Sequence, residues 1–187
     1  MLDVTWEWIS TYEPSLDVAN TVAVEKGVEH DLLARDGEYA RWAAVAARSP
    51  ELALDEAEAI ARARPLVFEL REHIRAVFKA TAAGEPLPKA AAAALNKASR
   101  AAPAWTEIGA DGALERRTRG NAVDRLLAAY ARSAMQVAAD GKEKLRVCGA
   151  PSCGMFYRPS RRQQRWCSEP CGNRARFARH YARRTSA

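Results

Sequence analysis

Cysteine is missing from the first 147 residues, so disulfide and thiol chemistry have no foothold in the greater part of the chain. Histidine is almost as scarce. The three present, His30, His73 and His180, stand outside any nucleophile, metal-dyad or phosphate-loop motif, which argues against an enzyme. No apolar run approaches the roughly 20 residues that a membrane-crossing helix takes. The opening MLDVTWEWISTYEPS is acidic and lacks a basic segment followed by an apolar one, so a secretory signal is not expected and the cytoplasm is. Acidic residues are rare at the far end. From Lys142 onward twelve Lys/Arg face only Glu143 and Glu169, a net of +10, while the rest of the chain sums to −4. A basic tail on a mildly acidic body points to division of labour, with the tail meeting a polyanion.

All four cysteines lie in that tail. Cys148, Cys153, Cys167 and Cys171 follow the pattern C-x4-C-x13-C-x3-C. Two close pairs separated by a hairpin-length spacer suit a tetrahedral zinc ion, each pair clamping one edge. Reducing conditions in the cytoplasm favour metal over two disulfides. Four thiolates saturate zinc, so the metal would be structural, with no position left for a reacting water.

The remaining pattern predicts a mainly α protein with small β elements. Residues 5–9 alternate like a strand. Ser15 is a candidate N-cap for a helix presenting Leu16, Ala19 and Val22, with Val18 beside them. Residues 21–33 read as a strand broken at Gly27, and a helix over 38–48 follows Gly37. A long helical stretch runs from a cap at Asp55 to Gly84, with Leu66, Leu70, Ile74 and Val77/Phe78 as its buried stripe. Pro65 inside it predicts a kink or two consecutive helices. Pro86 and Pro88 open an alanine-rich helix over 88–101. Residues 104–120 read as a hairpin turning at Ala110-Asp111-Gly112. Asn121 caps a helix over 122–139, which Asp140-Gly141 ends. The short step into the cysteine region predicts that the two parts pack together.

Within the tail, Cys148 closes a strand, and Gly149, Pro151 and Gly154 let the chain double back to Cys153. Met155-Phe156-Tyr157 and Arg165-Trp166 are expected to pair across the polar turn PSRRQQ. Ser168 is placed to cap a helix beginning near Cys171, which would set the last thiolates at a helix N-terminus, where negative charge is favoured. Knuckle, hairpin and helix make a treble-clef-like finger.

The segment WCSEPCGNRARFARHYARR, with Cys171-Gly172-Asn173-Arg174, closely resembles the CGNR zinc finger. Leu16-Asp17-Val18-Ala19-Asn20-Thr21 is similar to the L-D-x-x-N-T motif that opens the ABATE domain, which precedes this finger in bacterial proteins. The resemblance implies an ABATE-like helical domain over 1–141, a finger over 142–187 and a role as a stress-induced transcriptional regulator.

The residues make their own case for DNA. Arg176, Arg179, His180 and Arg183 follow helical spacing along one face, with Arg158, Arg161, Arg162 and Arg165 in the neighbouring hairpin. Several arginines on one surface displace counterions from phosphates and fork onto phosphate or guanine edges. Docking on an acidic protein, RNA binding, and a merely solvated face remain alternatives. Phe177 and Tyr181 are expected to pack on Trp166 or the body. Asn173 is expected to bond the knuckle backbone, and Arg174 either bridges to the body or joins the DNA surface. A single finger offers a small footprint, so specific binding calls for a homodimer. In the body, Asp17, Asn20 and Arg71 are polar residues among apolar ones, with Arg71 the expected partner of Asp17. They form either a satisfied packing network or a pocket for a small-molecule effector.

Overall fold

Helix α1 (Pro14–Ala19) begins with Pro14 in its first turn, because a locked φ and a missing N–H suit that position. Ser15 therefore lies inside the helix and is not its cap; its hydroxyl shares a 2.8 Å hydrogen bond with that of Ser133. The computed structural model describes residues 13–25, 28–35, 37–46 and 61–185, so the expected strand over 5–9 and the cap at Asp55 lie outside the described residues. Strands β1 (Val22–Glu25) and β2 (Val28–Asp31) pair antiparallel from Val22↔Asp31 to Glu25↔Val28. The Asp31 carboxylate then accepts from the Leu33 N–H at 3.0 Å and starts a 3-10 turn, Leu32–Ala34. Helix α2 (Glu38–Ala46) buries Tyr39, Trp42 and Ala43.

Helix α3 (Arg64–Ala83) carries Pro65 in its first turn, and Ala63 separates it from helical residues 61–62. The proline thus opens a second helix, which is the consecutive-helix alternative. Val67, Leu70, Ile74, Val77 and Phe78 form the buried face. Leu66 stays 47% exposed, a correction to the expected stripe, because its neighbour Val67 takes the buried place in that first turn. Gly84 ends α3 at φ +73, and the N–H groups of Gly84 and Glu85 satisfy the Thr81 and Ala80 carbonyls. Helix α4 (Lys89–Ala101) is anchored by Ala91 and Leu95. Strands β3 (Ala104–Ile108) and β4 (Leu114–Thr118) form an exposed hairpin. Helix α5 (Ala122–Ala139) is capped by Asn121, whose side-chain oxygen accepts from the Asp124 N–H at 2.9 Å.

The finger follows at once. Strand β5 (Arg146–Val147) pairs with β6 (Phe156–Tyr157), and helix α6 spans Glu169–Thr185. The expected hairpin between 155–157 and 165–166 is therefore replaced by pairing across the knuckle. Residues 158–166 fold as a loop around Gln164 instead. Its backbone carbonyl accepts from the Tyr157 hydroxyl at 2.9 Å and from Arg146 at 2.6 Å, and its side chain bonds the Ser160 N–H and the Trp166 carbonyl. These bonds occupy polar groups that a ladder would have used.

Body and finger share one core. Leu145 and Phe156 belong to the same cluster of buried side chains as Leu16, Ile74, Phe78 and Leu126. The Phe156 ring meets Phe78 edge-on at 5.4 Å. Gly154, at φ +100, lets the knuckle approach β1 so closely that a Cβ there would fall 2.8 Å from Val24 Cγ2. A smaller cluster around Cys148, Ala150, Tyr157 and Ala175 closes the finger itself.

Candidate metal centre and nucleic-acid interface

The two knuckle cysteines are presented by a tight return of the chain. Ser152 takes a left-handed φ of +56, Gly154 follows, and the Cys148 N–H donates to the Met155 carbonyl at 2.8 Å. The other two ligands sit at the start of α6. There the Ser168 hydroxyl accepts from the Cys171 N–H at 3.4 Å, so serine does cap this helix, which starts at Glu169.

The four sulfurs lie within 4.8 Å of one another. Cys153 to Cys167 is 3.8 Å, Cys167 to Cys171 is 3.5 Å and Cys171 to Cys153 is 3.7 Å. A zinc ion with bonds of about 2.3 Å places its ligands at tetrahedral edges of about 3.8 Å, which is this spacing. A disulfide needs about 2.0 Å. Cys148, Cys153 and Cys171 are buried and Cys167 is partly so. Several donors support the sulfurs: the Cys167 N–H reaches Cys148 Sγ at 3.4 Å, Arg174 Nη2 reaches Cys171 Sγ at 3.1 Å, and backbone N–H groups of Ala150 and Met155 serve Cys148 and Cys153.

Without metal the cluster cannot hold four negative charges. Hydrogen bonding from Cys167, chiefly, draws the Cys153 thiol down to about 5. The same bond, seen from Cys167, pushes that thiol well up, and burial pushes up Cys148. A divalent cation removes this conflict by stabilising all four thiolates. The donor set and its spacing define a structural zinc site held by Cys148, Cys153, Cys167 and Cys171.

The arginines divide into three groups. Arg158 turns back onto the body, 2.6 Å from Glu13 and 2.7 Å from Asp140. Burial raises the Glu13 carboxyl despite Arg158, whereas the Arg158 hydrogen bond lowers Asp140. Arg174 leans on Cys171 and makes its contact there, within the finger. Arg161, Arg162, Arg165, Arg176, Arg179 and Arg183 stand on the exterior, with His180 beside the last group. Arg179 lies 5.7 Å from the centre of the Trp166 ring. Asn173 accepts from Arg176 one turn on, and its expected bond to the knuckle backbone gives way to this contact. Phe177 and Tyr181 are 72% and 73% exposed, so the expected packing on Trp166 or the body does not form; the guanidinium of Arg179 covers Trp166.

The polar residues of the body are engaged with the chain itself. Arg71, 3% exposed, binds Asp31 through both terminal nitrogens at 2.8 and 2.5 Å and donates to the Thr21 hydroxyl at 3.1 Å. Its carboxylate partners are thus Asp31 from the β1–β2 hairpin and Glu72, which accepts from Nε at 3.1 Å, in place of the expected Asp17. Arg71 also stacks on Phe68 at 4.4 Å. Asn20 reaches across to the finger: its Nδ2 donates to the Phe156 carbonyl at 2.9 Å and its Oδ1 accepts the Phe156 N–H at 2.8 Å. Asp17 is buried in α1. Arg75, absent from the residues singled out by sequence, is equally buried and holds the Ala19 carbonyl and Glu29. Its one-turn spacing from Arg71 on an otherwise apolar helix face is a signal that would have found it.

Fold and site together define a helical protein that ends in a four-cysteine zinc finger. The chain belongs to the ABATE family, described as "putative stress-induced transcription regulator", whose model matches residues 13–141, well over half its length. Residues 144–184 match the CGNR zinc finger. No curated protein matches the chain. Among the described residues no helix is long and apolar enough to cross a membrane.

Proposed function

We propose that this protein is a cytoplasmic transcription regulator that binds duplex DNA through its finger. The observation that carries this reading is the fixed basic exterior of α6. The zinc ligand Cys171 lies in its first turn, and Arg176, Arg179 and Arg183 project from the turns that follow. Arg161, Arg162 and Arg165 extend the same charge onto the loop, and Arg174 combines support of the cluster with reach toward the surface. An effector acting through the body would reach the finger through α1, since Asn20 holds Phe156. A homodimer would supply the two half-sites that specific recognition needs.

The test is a fluorescence-anisotropy titration with random duplex at two salt concentrations. Salt-sensitive binding is expected, and replacing Arg176, Arg179 and Arg183 together by Ala should lower the slope of log K against log salt by about 2–3, at roughly 0.9 per phosphate contact. No binding, or binding indifferent to salt, rejects the reading. The exposed Phe177 and Tyr181 favour a second reading, in which α6 docks on an acidic protein. Capture of an acidic protein that is weakened both in the triple Arg variant and by Phe177→Ala, with no binding to duplex, would support it.

A further inference from the structure

We propose that the DNA track runs off the finger and onto the body, through a basic trough in which Lys79 and Lys142 face Arg146 and Arg165. None of Lys79, Lys142 or Arg146 belongs to the arginine set that the sequence offers for DNA. The inference rests on the DNA reading above and locates the phosphate backbone.

The trough is an open depression of about 620 Å³ where α3, the turn after α5 and the finger meet. Ala82, Ala83, Val147 and Tyr157 make its apolar floor, and the four cations stand around it with Glu143 as the lining acid. It continues along the finger. A second concavity shares Arg146 and Arg165 and adds Arg162, and a third shares Arg165 and leads past Trp166 to Arg179. Six cations thus line three adjoining hollows between the body and the terminal helix. An enclosed pocket suits a small ligand, whereas an open groove with four cations to one acid suits an extended polyanion.

Local structure aims these charges. Lys142 packs its stem against Gly84, where a Cβ would lie 3.0 Å from Lys142 Cδ, so its ammonium sits at the C-terminal end of α3. Helix C-termini repel anions, but here the Thr81 and Ala80 carbonyls are already capped by backbone N–H groups, and Lys142 offsets the dipole. Arg146 is steadied by one bond to the Gln164 carbonyl at 2.6 Å. Lys79 lies 3.5 Å from Glu29, which Arg75 also holds at 2.8 Å, so one carboxylate stands against two cations there.

The experiment compares wild type, Lys79→Ala/Lys142→Ala, and Lys97→Ala as a control that does not line the trough, all zinc-loaded and matched in thermal midpoint. The same duplex titration is run across a salt series. The double variant should lower the salt slope by about 2, one for each lost phosphate contact, and weaken binding several-fold at low salt, while Lys97→Ala leaves both unchanged. An unchanged slope in the double variant, with wild-type binding still lost on replacing Arg176, Arg179 and Arg183, overturns the trough and leaves the DNA reading standing. Equal losses per charge removed in the double variant and Lys97→Ala also overturn it, since net charge would then account for both. Failure of wild type to bind duplex at all overturns the DNA reading itself.

Discussion

Asn20 and Phe156, 136 residues apart in sequence, exchange two hydrogen bonds as adjacent strands would, with an amide side chain standing in for one backbone. The side chain of α1 thereby extends the small sheet of the finger. Removing it leaves a buried N–H and a buried carbonyl without partners, each worth about 1–3 kcal/mol. Asn20→Ala should therefore lower stability by about 2–4 kcal/mol in chemical denaturation, and Asn20→Asp should do no better, since a carboxylate cannot donate to the Phe156 carbonyl. A loss under 0.5 kcal/mol would show that the clamp contributes little.

The Arg71–Asp31 pair holds the β1–β2 hairpin on α3. Asp31 is 27% exposed at its side chain, so its share is screened, while Arg71 is almost wholly buried. Arg71→Met should cost about 2–4 kcal/mol, because Asp31 and Thr21 lose their donor. Adding Asp31→Asn should recover part of that loss, and a double-mutant cycle measures the coupling.

Zinc should be present at a single ion per chain by elemental analysis. Cys153→Ser, or a strong chelator, should abolish binding of the ion and reduce the helical signal contributed by α6. Chelation should also release thiols that react quickly with a thiol reagent, and the wild-type protein should resist that reagent while loaded.

Arg158 gives a pH prediction. The folded Asp140 carboxyl titrates below its ordinary value of 3.8, chiefly because it accepts from Arg158, so its contribution to stability is present above that value and fades as pH falls through the folded midpoint. In Arg158→Gln the Asp140 midpoint, followed by NMR, should move back up. Glu13, already raised above 4.5 by burial, should rise further once its cation is gone. Its raised midpoint means that ionised Glu13 costs stability at higher pH, so the two carboxyls should respond to acid with opposite signs.

Phe177→Ala should change the midpoint of thermal unfolding little, with an effect within about 0.5 kcal/mol, because the side chain leaves little surface buried. A larger effect would mean that the ring packs in solution.

Signals that act within a few residues were legible in the sequence. The cysteine spacing, the Asn121 cap, the stop at Gly84 and the Asp111-Gly112 turn each depend on local geometry that the residue type dictates. Choices made between distant segments were not. Ser15 reads as a cap until Pro14 is seen to open the helix, and its hydroxyl is then taken by Ser133. Arg71 had several carboxylates within sequence reach, and only the folding of β2 against α3 selects Asp31. The strand partner of Phe156-Tyr157 was misplaced because Gln164 consumes the polar groups of the loop, and nothing in PSRRQQ announces that one side chain will bond at both ends. Exposure of Phe177 and Tyr181 is likewise invisible, since the finger is too small to cover a full turn of α6.

Phe156 is a wall shared by two rooms. It lines the interior of the body against Phe78, yet it stands only three residues beyond the zinc ligand Cys153, on the same knuckle. A chain deprived of zinc should thus bare part of its main interior as well as its tail, and limited proteolysis should then cut within the body.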